Sequence, residues 1–362
     1  MTPRSRHESR SGDGPRPNRI LDGETHRFGA ICHRGSLLRA RLPLGVTIVA
    51  LLAAGLTSLS VRSDDPVMHQ PIDIGLTLGV PTLPSTTTTT TVPPTTTTSG
   101  HPATSIDPAA VGLDVGRPAV AADPGGLAHQ IADAERAIRD SETGVEEAAR
   151  HGHIAQVAYR AVTARPEWTD SVVAAVPTDL RQVVEWNLAA AAELRSMVTK
   201  LNEELPRWRI RAPGPTADLL AHYEAAEAEF GVGWEYLAAI HLVETRMGRI
   251  VGLSSAGAQG PMQFMPATWA AFGEGDVYDD GDAIRGAANY LKASGAPADM
   301  AKALWSYNHS DKYVRAVEGY ARVMADDPRA YLGYRGWEVY YLWEGGDSLI
   351  PVGWSHPDGE AT

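Results

Sequence analysis

The chain has 362 residues and a formal net charge of -12, with 44 acidic against 32 basic side chains. That balance gives no electrostatic footprint for DNA or RNA, which would need a basic face, so nucleic acid is excluded as an expected partner. The single cysteine, Cys32, has no second thiol for a disulfide or a thiolate metal site, and packing alone must hold the fold.

Residues 1–41 are rich in Arg, Ser, Gly and Pro without apolar periodicity and read as a disordered basic tail. From Leu42 to Val61 no charge occurs, and roughly 20 such residues suffice to cross the hydrocarbon of a bilayer. The stretch is longer than a signal-peptide core and shows no clear small-x-small cleavage site, which favours an uncleaved transmembrane anchor. Arg34, Arg39 and Arg41 precede it, so the positive-inside rule predicts a single-pass plasma-membrane protein with a cytoplasmic N-terminus and everything beyond Val61 exported. Residues 62–125 include Thr86 to Thr91, Pro93, Pro94 and Thr95 to Thr98, a low-complexity tract that resembles O-glycosylated stalks. They read as a disordered Thr/Pro-rich spacer carrying the next segment away from the membrane.

Over residues 126–205 helical periodicity takes over. Leu127, Ile131, Ala134 and Ile138 fall on one stripe, and Leu180, Val184, Leu188, Ala191, Leu194, Val198 and Leu201 on another. Pro166 and Pro177 interrupt the run and Thr178 is placed to cap the last helix, which predicts a helical hairpin or small bundle. Two roles compete for it: packing against the following domain, or recruiting partners such as cell-wall machinery. After a Pro-rich joint (PRWRIRAPGP), residues 206–355 alternate short helices with Gly-rich loops, and no alternating strand pattern of useful length appears. The expected fold is therefore mainly α.

Candidate chemistry begins on a helix predicted from Val232 to Met247, whose Leu237, Ile240, Val243 and Met247 define an inward face. Glu244 lies beside that face on the last turn, before Gly248. Partial desolvation and the negative end of the helix dipole both favour its protonated form, the state a general acid needs. The competing reading pairs it with Arg246 or Arg249, but neither stands at the i+3 or i+4 spacing that makes such pairs. The next loop, Ser254 to Pro266 (SSAGAQGPMQFMP), sets small residues and prolines around amides and hydroxyls, so that backbone can approach a ligand closely. Further on, Trp305-Ser306-Tyr307-Asn308-His309-Ser310 joins aromatic faces to an amide, a combination suited to sugar rings and their hydroxyls.

Taken together, Glu244-Thr245-Arg246-Met247-Gly248-Arg249, then SSAGAQGPMQFMP, then Ser306-Tyr307-Asn308 resemble the three ordered signatures of lytic transglycosylases, whose catalytic fold is like that of goose-type lysozyme. ETRMGR and QFMP look closest to the membrane-bound B type, SSAGAQG and SYN to the soluble type. The resemblance spans roughly Leu205 to Trp354. The sequence departs from the family wording at Thr245, where the soluble type commonly has Ser, and at His309-Ser310, which stand in place of Ala-Gly.

The resemblance implies a lysozyme-like domain acting on the glycan strands of peptidoglycan. Glu244 would be catalytic, Gln263, Tyr307 and Asn308 would line the sugar cleft, and Ser254, Met262 and Phe264 would shape it, with Tyr313 and His241 as further candidates. It also implies that Glu244 protonates the oxygen between N-acetylmuramic acid and N-acetylglucosamine and then removes the C6 hydroxyl proton as a 1,6-anhydro ring closes, so that one carboxylate suffices where most glycosidases need two.

No cofactor or metal is expected. Asp276, Asp279, Asp280 and Asp282 miss the alternating spacing of a calcium loop and lack its closing Glu. Asp282 is instead expected to cap a helix from Ala283 to about Lys292. The aromatic tail (Tyr331, Tyr334, Trp337, Tyr340, Tyr341, Trp343 and Trp354) is expected to be core. Two rival readings stay open: a hydrolytic muramidase taking a second acid from Asp276, Asp279 or Asp282, and a non-catalytic scaffold that binds the wall.

Overall fold

A computed structural model describes residues 112–359. The expected tail, membrane anchor and Thr/Pro tract lie outside the described residues, among which no helix is long and apolar enough to cross a membrane. The spacer was expected to run to 125, but residues from 113 onward are seated on the fold. Leu113 is buried, and Asp114 both donates its N–H to Leu349 (2.9 Å) and accepts the Leu349 N–H on its carboxylate (2.9 Å).

The architecture is mainly helical. The first four helices are α1 (Pro124–Arg139), α2 (Val145–Thr163), α3 (Thr169–Ala175) and α4 (Thr178–Met197). In α1 all four stripe residues are buried, and Asp123 caps it by accepting the Gly126 N–H, with Pro124 at the first position, where its missing N–H is harmless. The cap expected from Thr178 is not made. Thr178 is the first helical residue, and Pro177, already fixed near a cap-compatible backbone, takes the cap position. The second stripe also ends early, because α4 stops at Met197 and Leu201 is exposed.

Next come β1 (Arg209–Ile210), α5 (Thr216–Phe230), α6 (Trp234–Thr245), β2 (Ile250–Val251), α7 (Pro266–Phe272) and α8 (Asp280–Ala293). They are followed by α9 (Met300–Asn308), α10 (Asp311–Asp326), α11 (Ala330–Arg335), β3 (Val339–Trp343) and β4 (Gly346–Ile350). Strands β1 and β2 form a short antiparallel pair, and β3 and β4 an antiparallel hairpin closing at Trp343 and Gly346. The hairpin is a strand pair for which the sequence shows no alternating pattern. Most of β3 is buried, so its hydrophobicity does not alternate, and the surviving signal was the Gly345-Gly346 turn. The aromatic tail is buried as expected, but Tyr340, Tyr341 and Trp343 belong to a strand.

One apolar core runs from Leu127 in α1 to Trp337 after α11, so the first four helices and the following segment share an interior. Helix α10 packs against both α4 and α6. A buried polar network crosses the same seam. The Tyr159 hydroxyl donates to Glu135 (2.5 Å), the Asn187 amide donates to both, and the Tyr334 hydroxyl donates to Asn187 Oδ1 (2.7 Å). A smaller cluster built on Trp208, Ile210, Ile250, Tyr341, Trp343 and Ile350 joins the two sheets.

Candidate active site

Helix α6 carries Glu244 next to its C-terminal end, and every residue from Leu237 to Thr245 is buried. The expected inward stripe is thus an underestimate, since α6 is a core helix buried on all sides. It also ends sooner than Met247. Arg246 and Met247 adopt the left-handed conformation (φ 55° and 57°), followed by Gly248 at φ 79°. A Cβ on Gly248 would meet Asp280 Oδ1 at 2.9 Å, so the turn needs glycine for space as well as for φ. Arg211 ties the turn down, with its Nε on Gly248 O (2.7 Å) and a terminal nitrogen on Asp280 (3.1 Å). Among the described residues five non-glycine residues have positive φ, and Arg246, Met247, Gln263 and His309 are four of them. Strain of about 1 to 3 kcal/mol each, concentrated in the three motif segments, is how functional sites hold geometry.

Glu244 is fully buried. Its Oε1 accepts a 2.7 Å hydrogen bond from the Tyr313 hydroxyl of α10, and its Oε2 has no protein partner. Burial pushes the carboxyl up to about 8, against smaller downward pulls from the Tyr313 hydrogen bond and the Arg246 charge. Neither neighbouring arginine forms an ion pair with it. Arg246 donates to the Leu242 and Val243 carbonyls at the end of α6, and Arg249 pairs with Glu338 at 3.2 Å.

Tyr313 and Tyr307 stand beside this carboxyl. The Tyr313 ring stacks on Tyr307 (centroids 6.3 Å, planes 5° apart), and the Tyr307 hydroxyl donates to Met262 O (2.8 Å). Thr245, one of the departures from the family wording, bridges the two motifs. Its hydroxyl donates to Pro261 O (2.6 Å) and accepts the Gly248 N–H (3.0 Å). Gln263 is buried with Nε2 on Gly260 O (2.9 Å) and Oε1 unpartnered, while both amide atoms of the buried Asn308 lack a protein partner. Buried polar atoms are rarely left unpaired. Glu244, Gln263 and Asn308 hold four of the eleven such atoms among the described residues.

Ser254, Met262 and Phe264 act on the backbone of the loop. Ser254 Oγ accepts the Ala256 and Ala258 N–H groups (3.2 and 2.9 Å), Met262 is buried, and Phe264 meets Trp269 edge-on while its backbone exchanges two bonds with Gln259. His241 points elsewhere. Its Nδ1 lies 2.7 Å from the Tyr223 hydroxyl, and burial lowers its pKa to about 3, which makes it a neutral core residue. Ser310 caps α10 by accepting the Tyr313 N–H (3.4 Å), and His309 lies against Trp305. The sequence marked Thr245 only as a departure from the family wording, and its linking role comes from the Pro261 and Gly248 bonds of the fold.

Among the described residues no cluster of His, Cys, Asp or Glu could hold a metal ion. The aspartates before α8 have local work, and the expected cap is shifted. Asp279, not Asp282, caps α8 by accepting the Asp282 N–H (3.0 Å), Asp282 lies inside the helix, and its carboxylate accepts the Asp276 N–H (2.8 Å). The reason is that α8 starts at Asp280, three residues before the expected start.

Residues 222–328 match the family model described as the transglycosylase SLT domain, a stretch that includes Glu244, the loop and Ser306-Tyr307-Asn308 and is narrower than the span read from the motifs. No curated protein and no solved structure matches the chain. The described residues are thus mainly helical, and residues 222–328 are similar to the lysozyme-like transglycosylase SLT domain.

Proposed function

We propose that this chain is a lytic transglycosylase that cuts peptidoglycan strands between N-acetylmuramic acid and N-acetylglucosamine, leaving 1,6-anhydro ends. The observation that carries the reading is the buried Glu244 carboxyl, shifted up to about 8 and held by Tyr313.

Glu244 starts protonated at neutral pH, which suits a general acid. It gives its proton to the glycosidic oxygen as the bond to the muramyl C1 breaks, and the substrate's acetamido group supports the positive charge at that carbon. The ionised carboxylate then takes the proton of the muramyl C6 hydroxyl, whose oxygen bonds to C1, and Glu244 returns to its starting state. Tyr313 holds Oε1 and leaves Oε2 free for both transfers. Asp276, Asp279 and Asp282, any of which could give a water-using muramidase its second acid, each accept a backbone N–H of the loop or the helix cap, and this favours the one-carboxylate route. The wider setting proposed is the cell wall, with the charge-free stretch Leu42–Val61 as a membrane anchor and the Thr/Pro tract as a stalk.

The test is digestion of purified peptidoglycan by the full chain and by Glu244→Gln, with product ends read by mass spectrometry. Anhydro-muramyl ends that vanish in the variant support the proposal. Hydrated reducing ends would replace it with a muramidase, and glycan binding without cleavage by either protein with a scaffold.

A further inference from the structure

Where α2 and α4 meet the turn after α6, the structure holds a cavity of about 60 Å³ whose walls include Arg160, Arg195, Arg246, Thr163, Tyr320 and Trp337. At roughly 15 Å³ of such volume per water, it has room for about four waters, or for a carboxylate-sized group. Its charges do not balance. Asp347 is engaged by Arg160 through both carboxylate oxygens. The half-buried Arg195 side chain makes no hydrogen bond or ion pair among the described residues, and Arg160 and Asp347 are the charges that act on it. Arg246 is buried and bonds only to backbone carbonyls, and burial draws its pKa down to about 10. The Tyr320 hydroxyl makes no hydrogen bond among the described residues, and Arg246 and Arg160 both act on it.

Three guanidiniums face one carboxylate here, with Arg246 buried and Arg160 and Arg195 partly covered, which leaves an excess of positive charge that an anion would complete. We propose that this cavity binds a small carboxylate, held by the forked donors of Arg195 and Arg246 with the Tyr320 hydroxyl beside them. Planar forks match a carboxylate through paired hydrogen bonds, and the cavity is too small for a sugar ring. The anion would join α4 to the turn that follows Glu244. If the functional reading above holds, its source is the terminal carboxylate of a wall peptide stem. A free small carboxylate is the other source, and the site itself does not depend on that reading.

The test uses the full chain, with thermal unfolding followed at constant ionic strength while chloride is exchanged for acetate. Parallel titrations use D-alanyl-D-alanine and its C-terminal amide. A saturable rise in Tm with acetate and the dipeptide but not the amide is expected. Arg195→Gln should weaken the apparent affinity by about tenfold or more, and Arg195→Lys should recover part of it, since a charge-assisted bond is worth about 1.5 to 3 kcal/mol. The Arg195 side chain has no protein partner to lose, so the variant keeps the fold, which circular dichroism checks. A response to acetate alone assigns the free acid as the ligand source. Equal responses in wild type and Arg195→Gln, or no saturable response in the wild type, overturn the proposal. Carboxylate binding by a wild-type chain that leaves peptidoglycan uncut would sustain the site while removing the functional reading.

Discussion

Replacing Glu244 with Gln should make the protein more stable at neutral pH while abolishing cleavage. The carboxyl is buried, with a pKa raised from the usual 4.5 to about 8. Because the folded value lies above the unfolded one, its contribution to stability is fully present below about pH 4.5 and is lost as the pH rises through 8. At about 1.4 kcal/mol per pH unit, the unfolded chain gains roughly 3 kcal/mol by pH 7 from ionising a carboxyl that the fold keeps protonated, and roughly 5 kcal/mol above pH 8. Glutamine removes that gain. Its carbonyl still accepts the Tyr313 hydroxyl, and its amide nitrogen takes the place of an Oε2 that already lacks a protein partner. For a fold of this size 3 kcal/mol corresponds to roughly 6 to 12 °C in Tm. Melting curves of both proteins from pH 4 to 9 should therefore converge near pH 4 and diverge as the pH rises. Parallel curves, or a Gln variant less stable than wild type at pH 8, would refute the claim that burial sets the protonation of Glu244.

Tyr313→Phe removes the hydrogen bond that pulls Glu244 downward, so the alkaline limb of the pH–rate profile for wall cleavage, where the acid loses its proton, should move to higher pH; an unmoved limb would show that Tyr313 acts only in packing. Gly152→Ala would place a Cβ 1.8 Å from Gly333 O where α2 crosses α11, and urea unfolding should report a loss of about 1 to 3 kcal/mol or more from forced separation of the helices. Asn187→Ala leaves Tyr334 without its acceptor and Glu135 with one donor fewer inside the core, and the same assay should give a loss of about 3 kcal/mol; a loss under about 1 kcal/mol would mean that water replaces the amide and the network contributes little.

The sequence by itself was enough to mark the helical stripe of Leu127, Ile131, Ala134 and Ile138, and to single out Glu244 with the two loops that follow it. Periodicity and wording of this kind are local, because a residue's burial on a helix repeats along the chain and a tight turn demands its own glycine. Local patterns did less well wherever both sides of an element are covered. Helix α6 is buried all round and strand β3 nearly so, and without a polar face neither shows a period that fixes its extent or type. Caps slipped for a related reason. Asp279 and Asp282 are both good N-cap residues, and where α8 begins as it packs on α5 decides which of them stands at the cap. The contact that most shapes the site, Tyr313 to Glu244, joins positions 69 residues apart, and the shared core and the arginine-lined cavity likewise depend on α4, α6 and α10 coming together. Which residue types the chain offers was legible from the start. Which of them are stripped of water and set against one another was decided by tertiary packing, because desolvation and long-range contact are properties of the folded interior and not of any stretch of sequence.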